Sequence, residues 1–276
     1  MTIVNIWTEV DKFATKFCTS RGLTYSGERG RVEQLPLIMR NIVATAVDSI
    51  VSSPPKTAFS QSQIFTNITE DTQRSIFEYH KELTESTSST TSTGVTTGLS
   101  VSSTQEFNIK FVEVGVTQTV TAEVNVTTEQ TKTTTETQRM GTTQEITVPP
   151  HSQVKATIII QEGDYSFATK LTCDISGFVY FTSTSGLTFW SSIYDVLKTN
   201  NTPNFTFTFE DPSDPTCHFN GTGGIKGNQG LQSFVTVEQS PLPGKPGQSR
   251  KYTLSGQTAN SLGIIQPGTI QIPVFN

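Results

Sequence analysis

TGVTTGLSVSSTQEFNIKFVEVGVTQTVTAEVNV, Thr93 to Val126, is the stretch on which the reading of this chain turns. It is rich in Ser and Thr, poor in charge and free of proline. On its first arm the apolar side chains are Val95, Leu99, Val101, Phe107, Ile109 and Phe111, all odd-numbered. On its second arm they are Val112, Val114, Val116, Val120, Ala122, Val124 and Val126, all even. Alternation with a period of two is the mark of a strand with one apolar face. A single switch of parity is what a hairpin with an even-numbered loop produces. Pairing Ile109 with Val114 sets Phe107 against Val116, Val101 against Ala122 and Leu99 against Val124 on one face. Ser103, Gln105 and Gln118 interrupt that face. Glu106, Lys110 and Glu123 fall on the hydroxyl-rich side, and the expected tip is Phe111-Val112.

The surroundings favour long strands over a disordered stalk. From Lys56 to Val148 there is no proline, in a chain of 276 residues with 13. Proline removes a ladder hydrogen bond, so interior strands exclude it. Mucin-like Ser/Thr stalks usually contain it. Thr itself suits a pleated surface. Hydrophobic content is 33% and charged content 16%, and low charge argues against charge-driven disorder.

Outward from the hairpin, EDTQRSIFEYHKELTE and VKATIIIQ read as strands. So do DISGFVYF, NFTFTFE (with Phe205, Phe207 and Phe209 on one face), LQSFVTVEQ and RKYTLSG. FNGTGGIKGNQG reads as a glycine-rich loop or hairpin, and IIQPGTIQIPVF as a last strand pair or extended tail. Residues 1 to about 52 read as two helical pieces. Ile6, Val10, Phe13 and Phe17 mark the first, and Leu35, Ile38, Ile42, Ala46 and Ile50 the second.

Composition excludes several functions. A net charge of −5 lacks the basic face that nucleic acid requires and does not favour anionic headgroups. No run of eighteen apolar residues is present to form a membrane-spanning helix, and the N-terminus does not read as a secretory signal. Cys18, Cys173 and Cys217 read as free buried thiols, with a Cys173–Cys217 bridge as the alternative. Neither the cysteines nor His80, His151 and His218 show metal-ligand spacing. Nucleophile-elbow and phosphate-loop motifs are absent, so neither an enzyme nor a cofactor is expected.

An arm of about fifteen residues exceeds the roughly 9–11 that a tilted strand needs to cross a bilayer. Apolar-out, polar-in alternation is the transmembrane β-barrel pattern. A lone hairpin cannot sit in lipid, because its edge N–H and C=O groups would be unsatisfied. Several copies closing a barrel remove that obstacle. The competing reading is that the apolar face belongs to the protein's own core.

ELTESTSSTTSTGVTTG resembles the Ser/Thr track that leads into the insertion loop of aerolysin-type β-pore-forming toxins. ITVPPHSQVKATIII and ISGFVYFTSTSGLTFWSSIYDVLKTN resemble segments of the epsilon-toxin/mosquitocidal-toxin branch, parasporins included. The likeness covers roughly Phe65 to Asn200. It implies a mostly β, elongated aerolysin-like fold with long antiparallel strands, a stored amphipathic insertion hairpin at 94–127 and a small α+β head. Residues 1–56 and 176–226 would form the head, and 57–175 with 227–276 the body.

The resemblance also implies a glycan or protein receptor on the target-cell membrane, an activating protease and a homo-oligomeric ring. The alternating set from Val95 to Val126 would face lipid, and Glu106, Lys110 and Glu123 the lumen. Trp7, Tyr25, Trp190 and Tyr194 would fall in the head as candidate receptor contacts. Arg250 and Lys251, beside a Pro/Gly-rich loop, are the first candidate cleavage site, and Arg29 and Arg31 the second. Cleavage at the first would free 252–276 with its apolar tail. Production as an intracellular crystal followed by release fits a chain without a secretory signal. The alternative is a non-lytic, aerolysin-like crystal protein that binds carbohydrate or protein.

Overall fold

The structure, a computed structural model, describes residues 2–47, 50–98, 100–127, 131–208 and 214–258. Within them the chain is mostly strand. β1 (Thr2–Asn5) leads into α1 (Ile6–Thr19), then β2 (Tyr25–Arg31), β3 (Ile38–Ala46) and the short β4 (Val51–Ser52). Next come β5 (Lys56–Asn67), β6 (Gln73–Thr96), β7 (Ser102–Phe111), β8 (Val116–Asn125) and β9 (Lys132–Val148). After β10 (Ser152–Ser176) lie β11 (Phe178–Ser183), β12 (Thr188–Ser192), α2 (Ile193–Thr199) and β13 (Phe205–Thr208). β14 (Thr216–Pro241) and β15 (Arg250–Thr258) complete the described chain.

The spine is the antiparallel pair β10–β14, in register from Ser152 opposite Pro241 to Ile175 opposite Cys217. β10 has 25 residues, a span of about 80 Å at strand rise, which makes the molecule elongated. At one end β5 flanks β10 and β15 flanks β14. β6 and β9 form a long ribbon with each other. Phe77, Leu83, Met140, Ile146 and Val148 of that ribbon pack on Val154, Ala156, Ile158, Ile160, Val235 and Val237 of β10 and β14. This is a two-layer sandwich with an apolar core.

Toward the other end β10 takes β3 as its neighbour, and a small sheet ordered β12-β11-β2 packs with both helices. In α1 the expected apolar stripe is present: Ile6, Val10 and Phe13 are buried and Phe17 partly so. Asn5 caps it, its side chain accepting from the Trp7 N–H. Ser192 caps α2 in the same way, at 3.1 Å from the Asp195 N–H.

Three sequence expectations are corrected. The second N-terminal helix is β3, rich in the β-branched residues that stiffen an extended chain. Its register against β10 breaks where Asn41 takes a φ of 54°, and an open edge of β10 offers partners that an isolated helix would lack.

The glycine-rich 219–230 segment is the interior of β14, lying between β10 and β6. A Cβ at Gly227 would stand 2.1 Å from the Ser86 carbonyl and 2.4 Å from the Tyr165 hydroxyl. Glycine serves close approach of neighbouring strands there, not a turn. The 226/227 head–body boundary therefore falls inside one continuous strand.

Third, the 109–114 register is wrong and is replaced below. EDTQRSIFEYHKELTE is strand from Gln73 onward, in β6. Phe209 and the IIQPGTIQIPVF tail lie outside the described residues.

Candidate membrane-insertion hairpin

β7 and β8 pair with each other alone, as a separate two-stranded sheet. Their partners are Phe111 with Val116, Ile109 with Gln118, Phe107 with Val120, Gln105 with Ala122 and Ser103 with Val124. The one-face pattern and its parity hold, but the register lies four residues further on than the one read from sequence. The turn explains the shift. Val112–Val114 forms a single 3-10 turn, and Gly115 follows at a φ of 66°. Its N–H donates to the Val112 carbonyl. Glycine adopts that left-handed conformation without a Cβ penalty, whereas Phe111 and Val112 would not. The chain therefore reverses across Val112–Gly115, and the Val101–Ala122 pairing is not native.

The apolar face lies on the protein's main core. Phe107, Ile109, Phe111, Val116, Val120, Ala122 and Val124 are buried. All of these but Val116 pack in one cluster with residues that include Phe167, Leu171 and Leu231, and the Phe107 and Phe167 rings stand 5.1 Å apart. Val126, just past β8, and Val95, near the end of β6, are fully buried, and the Val95 N–H donates to the Val126 carbonyl. Val101 and Val114 are half-buried. Leu99 lies outside the described residues. At the tip the two expected leaders part company: Val112 is 72% exposed and Phe111 only 1%.

The other face is wet. Glu106 and Lys110 are exposed. Glu123 pairs with Lys132 at 3.0 Å, and that hydrogen bond holds its carboxyl below the usual range. Few polar ties bind the hairpin to the body. Ser89 and Thr91 hydroxyls donate to the Glu123 and Asn125 carbonyls. Ser52 Oγ donates to the Lys110 carbonyl at 3.3 Å. Gln118, which interrupts the apolar face, is buried and donates through Nε2 to the Gly230 carbonyl at 3.4 Å.

The four aromatics expected in the head differ in surroundings. Trp7 donates through Nε1 to the Thr97 carbonyl at 3.0 Å. Tyr25 donates to Asp11 at 2.8 Å, and burial with that bond pushes its phenol up to about 12. Tyr194 is buried edge-on against Phe207, which corrects its expected role as a surface contact. Trp190 is 63% exposed.

Arg250 and Lys251 open β15, opposite Gln239 and Glu238. The exposed run from Pro243 to Ser249 precedes them. Arg29 pairs with Asp11 at 2.9 Å, and Arg31 donates to the Thr97 carbonyl at 3.0 Å. The three cysteines are free and buried, which removes the bridged alternative.

Long antiparallel strands carrying a separate, core-packed amphipathic hairpin define an aerolysin-type toxin fold. Residues 21–251 match the family described as Clostridium epsilon toxin ETX/Bacillus mosquitocidal toxin MTX2. The chain belongs to that family.

The pesticidal crystal protein Cry15Aa of Bacillus thuringiensis subsp. thompsoni is 30% identical over 238 residues, covering 80% of this chain and 70% of the relative. A non-toxic crystal protein from Bacillus thuringiensis superposes with a TM-score of 0.78 at 29% identity, over 89% of this chain and 100% of the other. The Mpp75Aa1.1 β-pore-forming protein from Brevibacillus laterosporus shares the fold, with a TM-score of 0.60 at 17% identity over 92% and 97% of the two chains.

Proposed function

We propose that this protein is a β-pore-forming toxin whose 94–127 hairpin leaves the body and, in a ring of copies, becomes part of a transmembrane barrel. One observation carries the reading: β7–β8 is held by side-chain burial and a few hydrogen bonds, with no backbone ladder to the large sheet among the described residues. Departure leaves the spine intact. The apolar face is already out of water in the core, so hydrocarbon restores, rather than adds to, a burial worth on the order of 10 kcal/mol per copy, provided the ring satisfies the strand edges.

Val95, Leu99, Val101, Phe107, Ile109, Phe111, Val114, Val116, Val120, Ala122, Val124 and Val126 would face lipid, with Val112 leading. Glu106, Lys110 and Glu123 would face the lumen. Receptor contact falls to the exposed Trp190, and activation to cleavage near Arg250 and Lys251, where the Pro243–Ser249 loop is accessible. The target membrane, a homo-oligomer and the protease are the partners, and release from a crystal inclusion fits the crystal-protein relatives.

The test is trypsin treatment with susceptible membranes, followed by dye release, SDS-resistant oligomer on gels and electron microscopy. Rings with dye release are expected after cleavage. Intact vesicles with no rings would overturn the proposal in favour of a non-lytic crystal protein. That second reading is favoured by the description of one structural relative as non-toxic.

A further inference from the structure

Under the second arm of the hairpin lies a buried carboxylate that the pore reading does not use. Glu85, on β6, is 7% exposed. Its Oε1 accepts from the Gly230 N–H at 2.8 Å and its Oε2 from Gln229 Nε2 at 2.6 Å. The carbonyl of the same residue, Gly230, accepts from Gln118 Nε2 of β8. One residue, through the two peptide groups that flank it, thus joins Glu85 of the body to the buried polar residue of the hairpin.

A cavity of about 50 Å³ sits beside this chain of contacts, lined by Glu85 and Glu136, by Thr119, Val120 and Thr121 of β8, and by Gln229. Water fits such a polar space, and β8 forms part of its wall.

We propose that Glu85 is a pH-sensitive latch for the hairpin: protonated, it is at home beneath β8, and ionised, it weakens the seat and favours release.

Every element around the carboxyl bears on this. β9 places Glu136 directly opposite Glu85 in the ladder. β10 brings Tyr165, whose phenol is raised chiefly by burial and further by the Glu85 charge. β14 supplies Gln229 and the Gly230 peptide, and β8 supplies Gln118, Thr119 and Thr121.

Gln138 Oε1, on β9, is a buried side-chain atom without a hydrogen-bond partner. A Cβ at Gly230 would lie 3.0 Å from it and 3.1 Å from Glu85 Oε1, so the two oxygens converge on one side of that residue. Two acceptors facing the same small space suit a proton on Glu85.

Burial pushes the Glu85 carboxyl up to about 7, against the Gly230 N–H and with help from the Glu136 charge. Once β8 lifts, water reaches the group and its affinity for a proton falls toward the ordinary 4.5. A proton held more tightly in the seated state stabilises that state below pH 4.5, and the effect is lost as pH rises to about 7. Above pH 7 the ionised carboxylate remains buried at its full cost, so the hairpin is most easily freed there.

This rests on the proposal that the hairpin moves, and its test needs no membrane. Amide hydrogen exchange of the full chain in solution, corrected for intrinsic rates, is followed from pH 5 to pH 9. Protection in β7 and β8 is expected to fall roughly ten- to a hundredfold across that range, with β10–β14 unchanged. Glu85→Gln should abolish the dependence, and Glu136→Gln should move its midpoint to lower pH. Equal pH dependence in wild type and Glu85→Gln, or none in wild type, would overturn the latch. Dye release that persists in either case would leave the pore proposal standing.

Discussion

The ring of Phe111 occupies the space that a side chain at position 163 would fill. A Cβ on Gly163 would stand 2.6 Å from Phe111 Cε1 and 2.9 Å from Leu231 Cδ1. Gly163 lies beside the β10–β14 bulge at Gln161/Glu162, where Leu231 is the extra, fully buried residue. The body is thus bare at one point of β10, and the last residue of β7 lies over it. Gly163→Val should force Phe111 outward at a cost of about 1–3 kcal/mol, the range for overpacking. Thermal unfolding should report the loss, and limited proteolysis should cut the 111–116 turn sooner. Unchanged turn cleavage would show that Phe111 does not seat the hairpin.

Val112 offers the opposite experiment, because it projects from the tip and touches little. At 72% exposure it contributes little to the soluble fold, and Val112→Glu should alter stability by no more than about 0.5 kcal/mol. Crossing a bilayer is another matter, since a carboxylate in the hydrocarbon costs roughly 2–4 kcal/mol for each copy. Dye release should fall at least about tenfold while SDS-resistant oligomer still forms. Full lytic activity in this variant would remove the tip from the inserting element.

The hairpin was readable because its pattern is local. A period of two and one parity switch are properties of the chain itself, and they fix which side chains share a face. The register depends on where the backbone can reverse, and Gly115 with its positive φ was the available sign. A reversal at Phe111-Val112 has no glycine to take that conformation.

The same division explains the other corrections. Residues 35–50 carry apolar spacing compatible with a helix, but β-branched residues and an open β10 edge draw Ile38–Ala46 into strand. The glycines of 219–230 signal a turn when read alone and tight strand packing once β6 and β10 lie on either side. The Glu85–Gly230–Gln118 link joins residues far apart in sequence, and only the assembled sheets bring them together.

Trp190 is the exposed member of the expected receptor set. It lies opposite Tyr180 in the small sheet, and Tyr180 lies opposite Gly30. The Tyr180 ring covers Gly30 closely, with Cε1 2.6 Å from where a Cβ would be. An indole beside a phenol on one sheet face suits contact with a sugar or an apolar side chain. Trp190→Ala should leave thermal stability within about 0.5 kcal/mol and lower binding to susceptible cells by tenfold or more in a sedimentation assay. Normal binding with normal stability would move the receptor contact elsewhere.

Two cysteine pairs separate a hairpin that stays folded from one that must leave. Gln105 and Ala122 face each other across β7 and β8, so a disulfide from Gln105→Cys with Ala122→Cys locks a native pair. The two strands remain neighbours in a barrel, and lysis should survive oxidation. Ser52 and Lys110 lie on opposite sides of the seam, with Ser52 Oγ 3.3 Å from the Lys110 carbonyl. Ser52→Cys with Lys110→Cys, joined by a short bis-maleimide, ties β7 to the body and should abolish dye release while sparing receptor binding. The native thiols do not interfere, since all three are buried. Burial also pushes Cys173 and Cys217 up to about 12, so at pH 7 their reactive thiolate forms are negligible. Equal lysis by the locked and the tethered proteins would mean that β7 and β8 never leave the core.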